Sequence, residues 1–379
     1  MVIRLRALII LIAVGVCASI AFAGQPRAVR GVWLTNVDSR VLNSRAGIEQ
    51  AVDLCDSLGF NTIFVVTWNK SMTTYPSAIM ERLTGVAIDT QFTGRDPLRE
   101  LISAAHRKQI QVIAWFEFGF SASYQQQGGP ILRARPAWAS RDIHGDLVTK
   151  NGFEWMNGFL PDVQDFMLSL IMEVVTHYDV DGIQGDDRLP AMPSESGYDA
   201  YTVSLYRAEH CGANPPTDAK DPDWVQWRAD LLNAFMKRIH DTVKAFNPRL
   251  IISMSPSVYP WSKEEYLQDW PTWVKRGWVD MVHPQVYRYS LTEYAATLRE
   301  MVDGQLTKEE LAKCLPGVLL KLGSYTPSRE FLTGMLQENR SHGIQGEVMF
   351  FYEGLRAHAD VFREWYHDRA EFPAIEERQ

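Results

Sequence analysis

Cysteine is scarce in this chain of 379 residues: Cys17 lies inside an N-terminal apolar run, and Cys55, Cys211 and Cys314 are widely spaced. Three cysteines outside that run, with no CxxC pair and no His/Cys cluster, give neither a disulfide framework nor a structural zinc site. HxH and HExxH patterns are missing, so no metal is indicated. No Gly-rich phosphate loop follows a predicted strand, so no nucleotide cofactor is indicated either. A GxSxG nucleophile elbow is absent, which removes the usual serine-hydrolase reading. Positive charge is in deficit, with 38 Lys and Arg against 46 Asp and Glu. That balance argues against nucleic acid or an anionic membrane as partner.

Long apolar runs are confined to one place. Leu8 to Ile20 is preceded by Arg4 and Arg6 and followed by Ala21-Phe22-Ala23, the pattern of a cleavable secretory signal over residues 1–23. The run is shorter than the roughly 20 residues a spanning helix needs, so no stable membrane insertion is expected after cleavage. Val16 is bulky for a lipoprotein site ahead of Cys17. A mature chain starting at Gly24 would carry 36 basic and 46 acidic residues and be secreted or periplasmic.

What is abundant is apolar and aromatic material, 46% and 11% of the chain, arranged in a repeating order. RGVWLTN (Arg30–Asn36), NTIFVVTW (Asn61–Trp68), QVIAWFEF (Gln111–Phe118), VDGIQGDD from Val180, LIISMS (Leu250–Ser255), VDMVHPQVY (Val279–Tyr287), LPGVLL (Leu315–Leu320) and GEVMFFY (Gly346–Tyr352) read as strands. Helical stripes follow them, such as Ile48, Ala51, Val52, Cys55 and Leu58 in the first. Asp96-Pro97 opens the next one as N-cap and first position, and Ser262 with Glu265, like Ser290 with Glu293, suggests a capping box. Eight strands with a helix after each predict an α/β fold, a (β/α)8 TIM barrel, in a single domain over residues 24–379. The third and fourth repeats are lengthened by inserts at Ser121–Asn157 and Leu189–Asp221, so the barrel should carry long loops after the third and fourth strands.

Barrel chemistry sits at the carboxyl ends of the strands, and acids collect there: Glu117, Asp186, Asp187 and Glu353. Strand alternation places Gly182, Gln184 and Asp186 on one face, and Ile183, Gly185 and Asp187 on the other. An adjacent Asp pair can equally cap a helix or pair with Arg188. Arg188, His283, Gln285 and Tyr287 are candidate substrate contacts. So are Trp68, Trp138 and Trp155, which stand in or beside polar loops and could either stack on sugar rings or plug the loops. A carboxylate-rich, aromatic-lined mouth without metal ligands favours glycoside hydrolysis, in which one carboxyl protonates the leaving oxygen and another faces the anomeric carbon.

The segments RGVWLTN, NTIFVVTW, YPSAI, AWFEFGF, DGIQGDDR, HPQVY and FFYEGL, in this order over residues 30 to 355, resemble the family-ten glycosyl-hydrolase-like domain of bacterial exported proteins. The resemblance implies a TIM-barrel glycosidase acting on a bacterial or environmental polysaccharide, with peptide-free peptidoglycan strands one candidate. More distantly, DGIQGD is similar to the D-G-apolar-x-x-D segment of the α-amylase clan, which implies Asp186 as nucleophile and retention of configuration. IISMSPS offers no acid at that clan's proton-donor strand, leaving Glu117, Asp187 or Glu353 for the role. A carbohydrate-binding protein that kept the barrel mouth without turnover would carry the same residues.

Overall fold

The computed structural model describes residues 27–373; the signal assigned to residues 1–23 lies outside them. Eight strands form one parallel sheet: β1 (Arg30–Leu34), β2 (Thr62–Val66), β3 (Gln111–Phe116), β4 (Gly182–Gly185), β5 (Ile251–Met254), β6 (Met281–Val282), β7 (Gly317–Leu319) and β8 (Glu347–Phe350). Their spatial order runs from β6 back to β1 and then to β8 and β7. The sheet curls so that its two end strands meet, linked by parallel bridges between Val282 and Cys314 and between Gln285 and Gly317. The result is TIM-barrel-like.

Both faces of these strands are covered, which is why Thr62–Val66 is buried throughout and apolar from Ile63 on. The outer layer is helical: α1 (Arg45–Ser57), α2 (Pro97–His106), α3 (Pro161–His177), α4 (Pro222–Phe246), α5 (Trp270–Arg276), α6 (Leu291–Gly304), α7 (Arg329–Ser341) and α8 (Ala359–Trp365). Ser44 and Asp96 cap α1 and α2 by accepting from Gly47 N and Arg99 N. The box expected at Ser262 and Glu265 does not form. Ser262 instead donates to Gln268 O at 3.0 Å, and Leu267 with φ 55° breaks that segment into a short helix and α5.

The space inside the curl is plugged by Trp33, which lies 5.9–6.3 Å from the rings of Phe64, Trp115, His283 and Phe350. Gln184 shares this interior, accepting from Trp33 Nε1 at 2.6 Å and donating to Ser253 Oγ at 2.8 Å. Gly182, two residues before it, lies tight against β5: a Cβ there would lie 2.3 Å from Ile251 O.

The amino end is closed by polar pairing. Glu347, at the start of β8 and fully buried, accepts from Arg340 Nη1 and Nη2 at 2.7 and 2.8 Å, from Asn339 at 3.1 Å, and from the Tyr366 hydroxyl. Arg30 lies 4.4 Å over the Tyr366 ring. At the carboxyl end the segment after β3 folds into a small antiparallel sheet of Ser121–Tyr124, Phe153–Trp155 and Thr149–Lys150. The segment after β4 is pinned by the buried Arg228, which donates to the carbonyls of Ser194, Ser196 and Ala219. Lys150 joins three loops by reaching Glu195 at 3.0 Å and Glu265 at 2.8 Å. Among the described residues no helix is long and apolar enough to cross a membrane.

Candidate active site

The strand ends from β1 to β6 converge on one acid cluster. β4 stops at Gly185 and the chain turns, so Asp186 keeps the inward face shared by Gln184 and is buried. Its Oδ1 accepts from Ser255 Oγ at 3.1 Å and from Gln285 Nε2 at 2.9 Å, and its Oδ2 from Arg188 Nη2 at 3.0 Å. Gln268, wholly buried, holds the Asp186 carbonyl at 2.9 Å. Three side-chain donors aimed at one carboxyl suit its ionised form, which can only accept.

Arg188 is the hub. Its Nη1 lies 2.9 Å from Asp187 Oδ1, its Nε and Nη2 donate to Glu117 O at 3.1 and 2.8 Å, and its guanidinium lies 4.7 Å over the Phe153 ring. The turn that carries it is held against the end of β3 by Phe120 N donating to Arg188 O at 2.9 Å. Contact there is so close that Gly119, with φ +52°, could carry no side chain: a Cβ would lie 2.0 Å from Arg188 O.

Glu117 is half-buried beside this hub. Its Oε2 accepts from Thr35 Oγ1 at 2.8 Å and from Asn69 Nδ2 at 3.0 Å. Its Oε1 has no hydrogen bond to a described residue. Burial raises its pKa to about 7, with Asp187 adding to the rise and Arg188, Thr35 and Lys70 opposing it. Asp186 is pushed well above the ordinary range too, by burial first and then by Asp187, so burial works against the three donors and the Arg188 charge that favour its ionised form. Three carboxyl groups thus share one close guanidinium, and such a cluster holds a proton near neutral pH. Tyr287 faces the same group. Burial and the charges of Asp186, Asp187 and Glu117 raise its phenol well above the ordinary range, so it stays a donor.

The structure brings together Glu117, Asp186, Asp187, Arg188, Gln285 and Tyr287, and leaves the other sequence-predicted residues elsewhere. Glu353 accepts from Ser39 Oγ at 2.7 Å and makes no hydrogen bond to the Asp186 cluster. His283 is not at the mouth: it is wholly buried between Trp33 and Phe64, its Nδ1 bonds Leu315 O at 2.9 Å, and burial lowers its pKa to about 4. Trp68 and Trp155 are also buried and present no ring face to a sugar. Trp68 Nε1 donates to Gly119 O at 3.0 Å and its ring packs edge-on against Phe118 and Phe166, which makes it a loop anchor. Trp155 is covered by the small sheet it belongs to and by Tyr266. Trp138 is half-buried, 5.3 Å from Phe166.

Thr35, Asn69, Ser255 and Gln268 are site residues that the sequence reading passed over. The first three stand at or just beyond the ends of strands read correctly, so polar residues at consecutive strand ends were the available signal. Gln268 lies in a helix break and gave none. Among the described residues no group of three or more His, Cys, Asp or Glu is placed to hold a metal ion.

Comparison with known proteins gives three findings. The profile of the family described as glycosyl hydrolase-like 10 matches residues 28–318. Two curated relatives are the glycosyl hydrolase DigH of Escherichia coli K12, 24% identical over 70% of this chain and 66% of its own length, and the glycosyl hydrolase YngK of Bacillus subtilis, 25% identical over 70% and 55%. The chain therefore spans just under two thirds of the first and about half of the second. Among solved structures, the glycoside hydrolase domain of PgaB (BpsB) from Bordetella bronchiseptica superposes with a TM-score of 0.67, covering 91% of this chain and 100% of that domain at 13% identity, a likeness of fold.

Proposed function

The chain belongs to the glycosyl hydrolase-like 10 family, and from that premise we propose that it is a polysaccharide hydrolase whose proton donor is Glu117 and whose anomeric-side carboxylate is Asp186. The observation that carries the proposal is the contrast between the two acids. Asp186 has both oxygens engaged by three side-chain donors. Glu117 has one oxygen engaged and one with no hydrogen bond to a described residue. Burial raises the pKa of both groups, so it is this difference in hydrogen bonding that assigns Asp186 the charged role and Glu117 the proton-carrying one.

In the proposed reaction Glu117 Oε1–H gives its proton to the glycosidic oxygen as the bond to the anomeric carbon breaks. Asp186 meets the positive charge that develops there and forms the glycosyl ester. Glu117, now a carboxylate, takes a proton from water as that water attacks the anomeric carbon and Asp186 leaves. Retention of configuration rests on the amylase-like DGIQGD segment. Arg188 holds Asp186 and the Glu117 backbone in one frame, and Tyr287 offers a phenolic donor to the Asp186 carboxylate or a sugar hydroxyl. Trp138 and the segments after β3 and β4 form one wall of the cleft in the (β/α)8 barrel. The substrate to test first is peptide-free peptidoglycan glycan strands, followed by other bacterial polysaccharides.

Residues 1–23 are proposed as a cleaved export signal; N-terminal sequencing of protein from its native host should then begin at Gly24. For the chemistry, reducing-end release should be abolished in Asp186→Asn and in Glu117→Gln, and azide should rescue the second change in a retaining enzyme. Wild-type protein that binds these glycans without releasing reducing ends would make it a carbohydrate-binding protein instead. The anomer formed first, read by NMR, separates retention from inversion.

A further inference from the structure

We propose that Tyr289, backed by Tyr325, is a sugar-stacking platform on the β6–β7 side of the mouth, which extends the cleft for a long glycan chain beyond the cleavage point. The proposal rests on the reading of the site as glycan-binding. Three of the ten exposed large apolar side chains among the described residues, Tyr289, Leu291 and Leu322, lie in the stretches after β6 and β7. Tyr289 is 62% exposed, the most of the ten. It stands two residues beyond Tyr287, at most about 7 Å of backbone away, and Tyr287 already senses the charges of Asp186, Asp187 and Glu117.

The ring is held for one-sided use. Tyr325 meets it edge-on at 4.9 Å and 83°, which fixes one side and leaves the rest of the ring to solvent. Tyr325 is itself held in a tight turn in which its backbone exchanges hydrogen bonds of 3.1 and 2.8 Å with that of Leu322, and its buried hydroxyl bonds no described residue. A mobile exposed tyrosine would lose rotamer freedom on binding, whereas a buttressed one has already lost it. The exposed ring face suits the apolar C–H face of a pyranose, and the Tyr289 hydroxyl can meet its equatorial hydroxyls.

The test uses the full-length Asp186→Asn protein, with and without Tyr289→Ala, and peptide-free peptidoglycan strands fractionated by length, with binding read by calorimetry. Tyr289→Ala is expected to weaken long strands by about three- to tenfold, as loss of one aromatic contact does, while the shortest bound strands keep their affinity. In the otherwise wild-type enzyme the same change should raise KM for long strands and leave kcat on short ones unchanged. Equal affinities at every length, in a parent that binds, would overturn the platform and leave the proposed function standing. A parent that binds none of the strands would overturn both. Loss of a self-association in Tyr289→Ala, with glycan affinity untouched, would assign the patch to a second copy of the chain and overturn the platform.

Discussion

At the amino end of the sheet Glu347 is buried against Arg340, Asn339 and Tyr366, whereas at the carboxyl end Glu117, Asp186 and Asp187 share the guanidinium of Arg188. Both are buried carboxyl clusters in one fold, and they differ in balance. Each Glu347 oxygen has charged or hydroxyl donors on it. Glu117 keeps an oxygen with no hydrogen bond to a described residue, and burial, with Asp187 beside it, outweighs the pull of Arg188, Thr35 and Lys70. A balanced cluster is a structural tie, whose worth shows when one partner is removed. An acid-rich, buried one is destabilising as it stands, and burial with that excess raises the Glu117 pKa toward neutral, as the proposed proton-donor role needs.

The largest test of this contrast is Asp186→Asn. Turnover should fall at least about 1000-fold, the upper range for losing one preorganised electrostatic group, with melting temperature unchanged or raised. A variant that is inactive because it no longer melts cooperatively would break the comparison. Arg340→Met should do the reverse. It strands a buried Glu347 and should cost about 3 kcal/mol of stability, with kcat per folded molecule unchanged.

Next in size is a pH effect at Glu117. Its pKa of about 7 in the folded protein lies above the ordinary carboxyl value, so the folded state binds more protons and stability falls as pH rises from about 4.5 to 7. Glu117→Gln removes that loss. It should stabilise the protein by about 2 kcal/mol at pH 8, with the gain vanishing at pH 4, as thermal melts at the two pH values would read. The same pKa predicts that kcat/KM of the wild type declines above about pH 7, where the donor loses its proton. The smallest effect expected is for Ser255→Ala, which removes one of three donors to Asp186 and should cost about 1 kcal/mol in kcat/KM, roughly fivefold in assay.

The two ends also differ in what the sequence discloses. The acids at the carboxyl end are legible because a strand carries its own direction and alternation, and DGIQGDDR states both. Thr35 and Asn69 could be placed at strand ends but not matched to Glu117, because the partnership spans 82 and 48 residues of chain. The tie at the amino end is local, Arg340 and Glu347 being seven residues apart across the α7–β8 connection, but nothing in the sequence alone says that the first residue of β8 is fully buried. Trp68 and Trp155 were legible as aromatics in polar stretches, yet what covers them is other loop structure that local polarity does not report. His283 follows a strand of two residues, too short for alternation to say whether its ring turns up to the mouth or down among Trp33 and Phe64.

The contact between Gly119 and the Arg188 carbonyl has a consequence for descent. A lineage could lose the activity through residue 119 while every acid, every strand and the family resemblance persisted. One methyl group added to the backbone there would displace the turn that carries Arg188, and with it the frame common to Glu117 and Asp186. Silent members of such a family would then be recognised by a missing glycine in AWFEFGF, ahead of any change in their carboxylates.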